Sequence, residues 1–275
     1  MEIAKITTQK KRTDRYNVYI FVDGKEEYAF SVDEDVLIKW QLRKGIILSE
    51  EDVVRILEQD EARKAWNDTL QYITHSMRTE YQIKQHLRKK EYEEEAIIRA
   101  IEKAKNYRYV DDLNYANSYV RTKMKTTDKG PAIISQELKE KGVHLSFIET
   151  ALEQFTPSKQ LESALQFLEK KANIKRHDSS QAFKKRMLES LVRKGFSTEI
   201  ALESWEASGI SLSREVEKAA VQQSGEKAVK KWKKKYSGSE LEWKVKEVLY
   251  RKGFSLSDIE EFLREQEMED HGETL

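Results

Sequence analysis

One short sentence recurs in this chain. LYRKGFSLSDIEEFL occupies residues 249–263 and LVRKGFSTEIALESW occupies residues 191–205. Aligning on the glycine brings up LKEKGVHLSFIETAL at 138–152 and LRKKEYEEEAIIRAI at 87–101. The aligned positions are Glu91, Gly142, Gly195 and Gly253, spaced 51, 53 and 58 residues apart. Leu87, Leu138, Leu191 and Leu249 stand four residues before them, and Ile83, Ile134, Met187 and Val245 stand eight before. Apolar residues at steps of four mark one face of a helix.

The glycine is a helix stop. A helix commonly ends on a residue at positive φ, where a side chain costs energy and glycine avoids that cost. The lysine before it favours the negative end of the helix dipole. The next residue (Tyr92, Val143, Phe196 or Phe254) folds back over the last turn, and Ser197 and Ser257 are expected to cap the following helix. Glu91 breaks the rule, so a looser or differently wound turn is expected in the first copy. Each interval leaves room for a further helix, with apolar stripes such as Trp66–Leu70–Ile73, Leu113–Ala116–Val120 and Leu161–Leu165–Leu168; Gly225 is expected to interrupt the one in the fourth copy. The unit is three helices in about 50 residues, a period typical of stacked arrays.

The first sixty residues differ. RYNVYIFVDGKEEYAFSV alternates, with Tyr16, Val18, Ile20 and Val22 on one face, and Asp23-Gly24 is a strong hairpin signal. Ile3 to Thr8 is a candidate third strand. Two short helices should follow, one capped by Asp33 and ending at Gly45, one capped by Ser49 and running through Leu57. The expected fold is mainly α: a tandem array of about four three-helix repeats forming an elongated, curved body, with a small N-terminal β-hairpin and helix module. The expected boundaries are residues 1–60 for that module, 61–108, 109–157, 158–210 and 211–266 for the repeats, and 267–275 for an acidic tail.

Lys and Arg (50) nearly cancel Asp and Glu (49), so no bulk field drives the molecule onto nucleic acid or a membrane. Zero cysteines exclude disulfides and thiolate metal sites and fit a reducing, cytoplasmic setting. No apolar run approaches the ~20 residues of a membrane span, and the first residues lack a secretion signal. Charge is uneven in place. Residues 170–194 carry nine basic and two acidic residues, and residues 227–236 (KAVKKWKKKY) hold six lysines and no acid. Residues 258–275 have eight acids against Arg264. Charge alone selects two partner-binding sets: Lys184, Lys185, Arg186, Arg193 and Lys194; and Lys230, Lys231, Lys233, Lys234 and Lys235.

Enzyme signatures are missing: no phosphate loop, dinucleotide fingerprint, H-E-x-x-H or G-x-S-x-G. The five histidines are scattered, and Asp111-Asp112 opens a helix, where capping accounts for it. Tyr107, Tyr109, Tyr115 and Tyr119 read as packing residues. No catalytic, cofactor-binding or metal residue is assigned, and the chain is read as a non-enzyme.

Arg78-Thr79-Glu80 opening a helix, the Tyr-x-x-x-Asp-Asp-x-x-Tyr-Ala-x-x-Tyr-Val run across residues 107–120, and Gly130-Pro131 ahead of Ile134, Glu137, Leu138 and Lys141-Gly142 together resemble the RecX family of recombination regulators. The resemblance spans roughly residues 60–265. It departs at Glu91 and in a body longer than the family's three-repeat core. It implies a non-enzymatic modulator that lies in the groove of the RecA filament on DNA. There it would mainly inhibit ATP turnover, strand exchange and the co-protease activity behind the SOS response. The chain is expected to be a cytoplasmic monomer that makes at most a weak direct contact with DNA. The alternative is a helical-repeat protein that binds DNA directly, without RecA.

Overall fold

The recurring turn is the same in all four copies. Glu91, Gly142, Gly195 and Gly253 have φ of 63°, 78°, 92° and 83°. The next amide bonds back five positions in each: Tyr92 to Leu87 at 3.4 Å, Val143 to Leu138 at 3.1 Å, Phe196 to Leu191 at 3.2 Å and Phe254 to Leu249 at 3.3 Å. A left-handed residue with this bond closes a helix and satisfies carbonyls its last turn leaves open. The looser first turn expected from Glu91 is not found; glutamate adopts the glycine geometry.

The structure is a computed structural model. It describes residues 1–10, 12–172, 178–211 and 213–272, with side chains to residue 266. Residues 173–177 of the first basic segment, and the side chains of the 267–275 tail, lie outside that description. Two compact units are formed, Met1–Tyr119 with Glu137–Ala151, and Val120–Gln136 with Leu152–Leu275.

In the first unit, strands β1 (Ile3–Thr8), β2 (Arg15–Val22) and β3 (Lys25–Asp33) make an antiparallel sheet in that order. Asp23 and Gly24, both at positive φ, turn the β2–β3 hairpin, and Val22 pairs with Lys25. A register shift after Val18 breaks the expected alternation: Val18 is buried, whereas Val22 is exposed at the tip. Asp33 caps α1 (Glu34–Lys39), which stops short of Gly45. Ser49 caps a helix through a reciprocal box with Asp52. That helix, α2 (Glu50–Thr74), is not short: it runs unbroken through residue 60, where a module boundary was expected.

Asp60 is why the sheet stays on α2. Its carboxylate, 1% exposed, accepts from the Arg15 guanidinium (2.8 and 3.2 Å) and the Asp33 amide (2.7 Å), with Lys64 at 2.8 Å. Ile56 of the same helix joins Ile3, Val18, Phe30 and Val32 in one core. The first repeat is α2, α3 (Glu80–Arg88) and α4 (Glu94–Asn106), packed around Trp66, Ile83, Leu87, Ile97 and Ile101. Burying each such side chain contributes about 1.5–3 kcal/mol.

The second repeat is α5 (Asp112–Thr126), α6 (Pro131–Glu140) and α7 (Leu145–Leu152). The third is α8 (Pro157–Ala172), α9 (Ser180–Arg193) and α10 (Thr198–Ala207). The fourth is α11 (Arg214–Trp232), α12 (Gly238–Arg251) and α13 (Leu256–Gly272). Gly225 does not interrupt α11. The Phe262 ring packs against it so closely that a Cβ there would lie 2.2 Å from the ring. Ser197 caps α10 as expected, but Ser255, not Ser257, caps α13, accepting from the Asp258 amide at 3.1 Å.

Successive repeats are joined at the equivalent end of the middle helix. In the first unit Thr79, the cap of α3, donates its hydroxyl to the Lys141 carbonyl at the end of α6 (2.6 Å). In the second unit Ser179, the cap of α9, does the same to the Lys252 carbonyl at the end of α12 (2.7 Å). Gly130, just before α6, donates its backbone amide to the Lys194 carbonyl (2.7 Å). A carboxylate from the next repeat then satisfies the first helical amide: Asp112 for Glu80 (2.9 Å) and Glu217 for Ser180 (3.1 Å). The α6 helix starts with Pro131, which has no amide to satisfy.

The joints give the repeat glycine a second reason. A Cβ on Gly142 would fall 2.2 Å from Tyr81, and one on Gly195 2.7 Å from the Ile133 amide nitrogen. Gly130 is as tight, 2.4 Å from Gly195. Glu91 ends the first middle helix, onto which no earlier repeat docks, so a side chain is tolerated there.

Candidate partner-binding surface

Helix α11 buries Ala220, Val221, Ser224, Gly225 and Ala228, which turns Lys227, Lys230 and Lys231 outward. Lys233 caps the helix, and Lys234 and Lys235 follow in the turn closed by Lys235 and Tyr236 amide bonds to the Trp232 carbonyl (2.9 and 3.1 Å). Lys230, Lys231, Lys233, Lys234 and Lys235 are all exposed, and none has a carboxylate within 4 Å among the described residues. Cations at a helix C-terminus are favourable to the dipole, but one or two suffice; five unneutralised lysines leave a field for an anionic partner.

Aromatic side chains sit within this set. The Lys231 and Lys244 ammonium groups stand 5.1 and 5.4 Å from the Trp232 ring centre, and Tyr236 packs on that ring at 5.7 Å. Trp243, on α12, is 65% exposed and also faces Lys244 at 5.7 Å. Trp243 is not among the residues that charge alone selects. Its spacing from Leu241 and Val245, which turn toward the core, was the available signal.

The other set is less free. Arg186 is bound to Asp178 and lies over Phe183. Lys194 faces Asp128 at 3.6 Å and the Phe167 ring at 4.9 Å, and its carbonyl serves the joint to Gly130. Arg193 donates to Ser190 at 3.2 Å. Lys184 is half-buried beside a cavity of about 430 Å³ lined by Phe183, Trp205 and Ile210. Lys185 alone is exposed without a partner among the described residues. Charge in sequence marks two sets, and geometry distinguishes them: in the first, Arg186, Arg193 and Lys194 are engaged by neighbouring groups, whereas the second presents all five of its lysines.

The remaining candidates resolve into structure. Asp111 accepts from the Asn114 amide at 2.8 Å and caps α5, while Asp112 caps α3 across the joint. Burial pushes the Asp112 carboxyl up, and the Glu80 amide pulls it the other way. His86 stacks on Tyr72 at 4.0 Å, and burial holds its imidazole below the ordinary value. Among the described residues no three His, Asp or Glu side chains converge to hold a metal ion, and no helix is long and apolar enough to cross a membrane.

The four tyrosines divide. Tyr115 and Tyr119 are half-buried and stacked at 6.0 Å, and the Tyr119 hydroxyl donates to Glu137 (2.9 Å). Burial raises its pKa. Tyr107 and Tyr109 pack on Trp66, at 5.8 and 6.4 Å, yet are 57% and 56% exposed.

Family models match along the chain in order. Residues 1–49 match the regulatory protein RecX N-terminal domain, 65–103 the first RecX three-helix domain and 111–152 the second. The third RecX three-helix domain matches twice, at 158–203 and 215–263. Regulatory protein RecX of Halalkalibacterium halodurans is 40% identical over 263 residues, covering 96% of this chain and 99% of that protein. Regulatory protein RecX of Bacillus subtilis is 39% identical over 266 residues, covering 96% and 98%. A crystal structure of regulatory protein RecX superposes with a TM-score of 0.63 at 38% identity, over 74% of this chain and 98% of its own. That of RecX from Lactobacillus salivarius gives 0.54 at 34% identity, over 56% and 99%.

Proposed function

Since this chain belongs to the RecX family of regulatory proteins, we propose that it binds the RecA filament in its helical groove and mainly inhibits the filament's ATPase, strand-exchange and co-protease activities. It works as a cytoplasmic monomer and catalyses no reaction of its own. One observation supports the placing of the contact: the five exposed lysines at the end of α11, unneutralised among the described residues, with Trp232 beside Lys231. Such a surface suits the anionic groups that a protein–DNA filament presents. Contacts from successive repeats, each modest, would add through their linkage. Lys185 is the one member of the α9 set exposed and unpaired among the described residues.

The test is charge reversal at Lys231, Lys233 and Lys234 to glutamate, with RecA ATPase on single-stranded DNA measured across a salt series. The variant should inhibit about tenfold less well at moderate salt, and the difference should shrink as salt screens it. Inhibition equal to wild type at every salt concentration would remove α11 from the interface.

A further inference from the structure

We propose that the turn Tyr107, Arg108, Tyr109 after α4 is a stacking platform for the bases of single-stranded nucleic acid, a contact separate from the lysines of α11. The two rings lie 5.6 Å apart and within 22° of parallel. Beneath them Trp66 of α2 continues the set, 5.8 Å from Tyr107 and 6.4 Å from Tyr109, within 15° of the latter. Trp66 is buried, whereas the two tyrosines packed on it are 57% and 56% exposed. Near-parallel aromatic faces held ready on a rigid base are what a sequence-tolerant single-strand site needs, because every base has a π-face.

The backbone at this turn adds a second observation. Arg108 is left-handed, φ 58°, in a turn closed by its own amide bond to Lys105 (2.8 Å) and the Tyr109 amide bond to Ala104 (2.9 Å). Glycine is the residue this conformation favours. The chain places an exposed guanidinium there, with no carboxylate within 4 Å among the described residues. The Lys103 ammonium stands 4.6 Å from the Trp66 ring centre, likewise without an acidic partner among the described residues. An exposed guanidinium between the two tyrosines in sequence, and an ammonium over the Trp66 ring on which they pack, supply cations for the phosphates of a strand whose bases stack there. The acids nearest in sequence, Asp111 and Asp112, are engaged by helix amides, and Glu80 is paired with Lys105 at 2.9 Å.

The experiment uses the full chain, a fluorescein-labelled fifteen-nucleotide oligo-dT, anisotropy across a salt series, and no recombinase, so its outcome is independent of filament binding. Y107A/Y109A should bind about ten- to a hundredfold more weakly than wild type, with an unchanged slope of log affinity against log salt. Y107F/Y109F, which keeps both ring faces, should stay within about twofold. Arg108→Gly, which suits the turn, should lower the salt slope by about one charge. A duplex of the same length should be bound less tightly and be indifferent to the tyrosines. The proposal is overturned by a wild type that does not bind oligo-dT, by an alanine pair that binds as wild type does, or by equal losses on the duplex. If the alanine pair fails to fold, the phenylalanine pair and Arg108→Gly still decide: an unaltered salt slope in the latter also overturns it.

Discussion

The Thr79 hydroxyl, 2.6 Å from the carbonyl oxygen of Lys141, does two things at once. It accepts the Gln82 amide, capping its own helix, and donates to the end of a helix 62 residues away. A single oxygen thus closes one repeat and joins it to the next.

Thr79→Val keeps the shape and removes both bonds. A part-buried carbonyl and amide left unpaired cost about 1–3 kcal/mol, so urea unfolding should show a loss of that size. Ser179→Ala, at the matching oxygen between the third and fourth repeats, should behave alike. A loss below about 0.3 kcal/mol in both would mean that the joints do not depend on the hydroxyl.

Alanine at the positive-φ glycines should separate two costs. Gly45 has φ 84° and nothing within 4 Å of where a methyl would stand, so Gly45→Ala should cost only the left-handed penalty of about 1–2 kcal/mol. Gly195→Ala adds a collision with the Ile133 backbone and should cost clearly more. Glu91→Gly should be neutral or stabilising by up to about 1 kcal/mol. Thermal melting of the three variants gives the order, and Gly45→Ala matching Gly195→Ala would refute close approach as the second reason for glycine.

Asp60→Ala leaves the Arg15 guanidinium buried without its partner. Breaking a buried pair from one side costs about 3–5 kcal/mol. Because Asp60 also holds the Asp33 amide, amide exchange in the β-sheet should accelerate more than in α9. Uniform acceleration would place the role of Asp60 elsewhere.

Glu94 supplies a pH signature. Hydrogen bonds from Arg88, at 2.9 and 3.0 Å, and then from Lys84 hold its carboxyl down at about 2. A depressed folded pKa gives stability that is complete above the ordinary glutamate value of 4.5 and is lost as pH falls toward 2. Carboxyl NMR should find Glu94 titrating near the bottom of that window, and Arg88→Ala should move it back up. A midpoint near 4.5 in the wild type would count against the pair.

Much of this was legible in the sequence, for reasons tied to particular residues. The step from Ile83 to Leu87 to position 91, repeated three more times, reports a local geometry, and local geometry is what periodicity encodes. The caps at Ser49 and Ser197 were readable on the same ground. The continuity of α2 was missed because its apolar stripe shifts from Ile56 to Trp66, where the helix leaves the sheet for the first repeat. The cap of α13 was placed two residues late, since Ser255 and Ser257 both precede acids at suitable spacing. The joints were invisible, because a bond from Ser179 to Lys252 depends on two turns being brought together by everything between them. For the lysines, residue order carries the sign of the charge but not which cations already have partners: Arg186 and Lys194 do, and Lys233 to Lys235 do not among the described residues.

An oxygen or a bare amide at one end and a lysine carbonyl beside glycine at the other make a coupling that does not ask which unit supplies each half. A chain built this way can be lengthened by copying a block, and one family model fitting both 158–203 and 215–263 is what such copying leaves behind. Ser237 stands as far before Gly253 as Ser179 stands before Gly195 but, unlike Ser179, makes no side-chain cap bond. Ahead of the first, Glu91 holds the place that a newcomer would need empty.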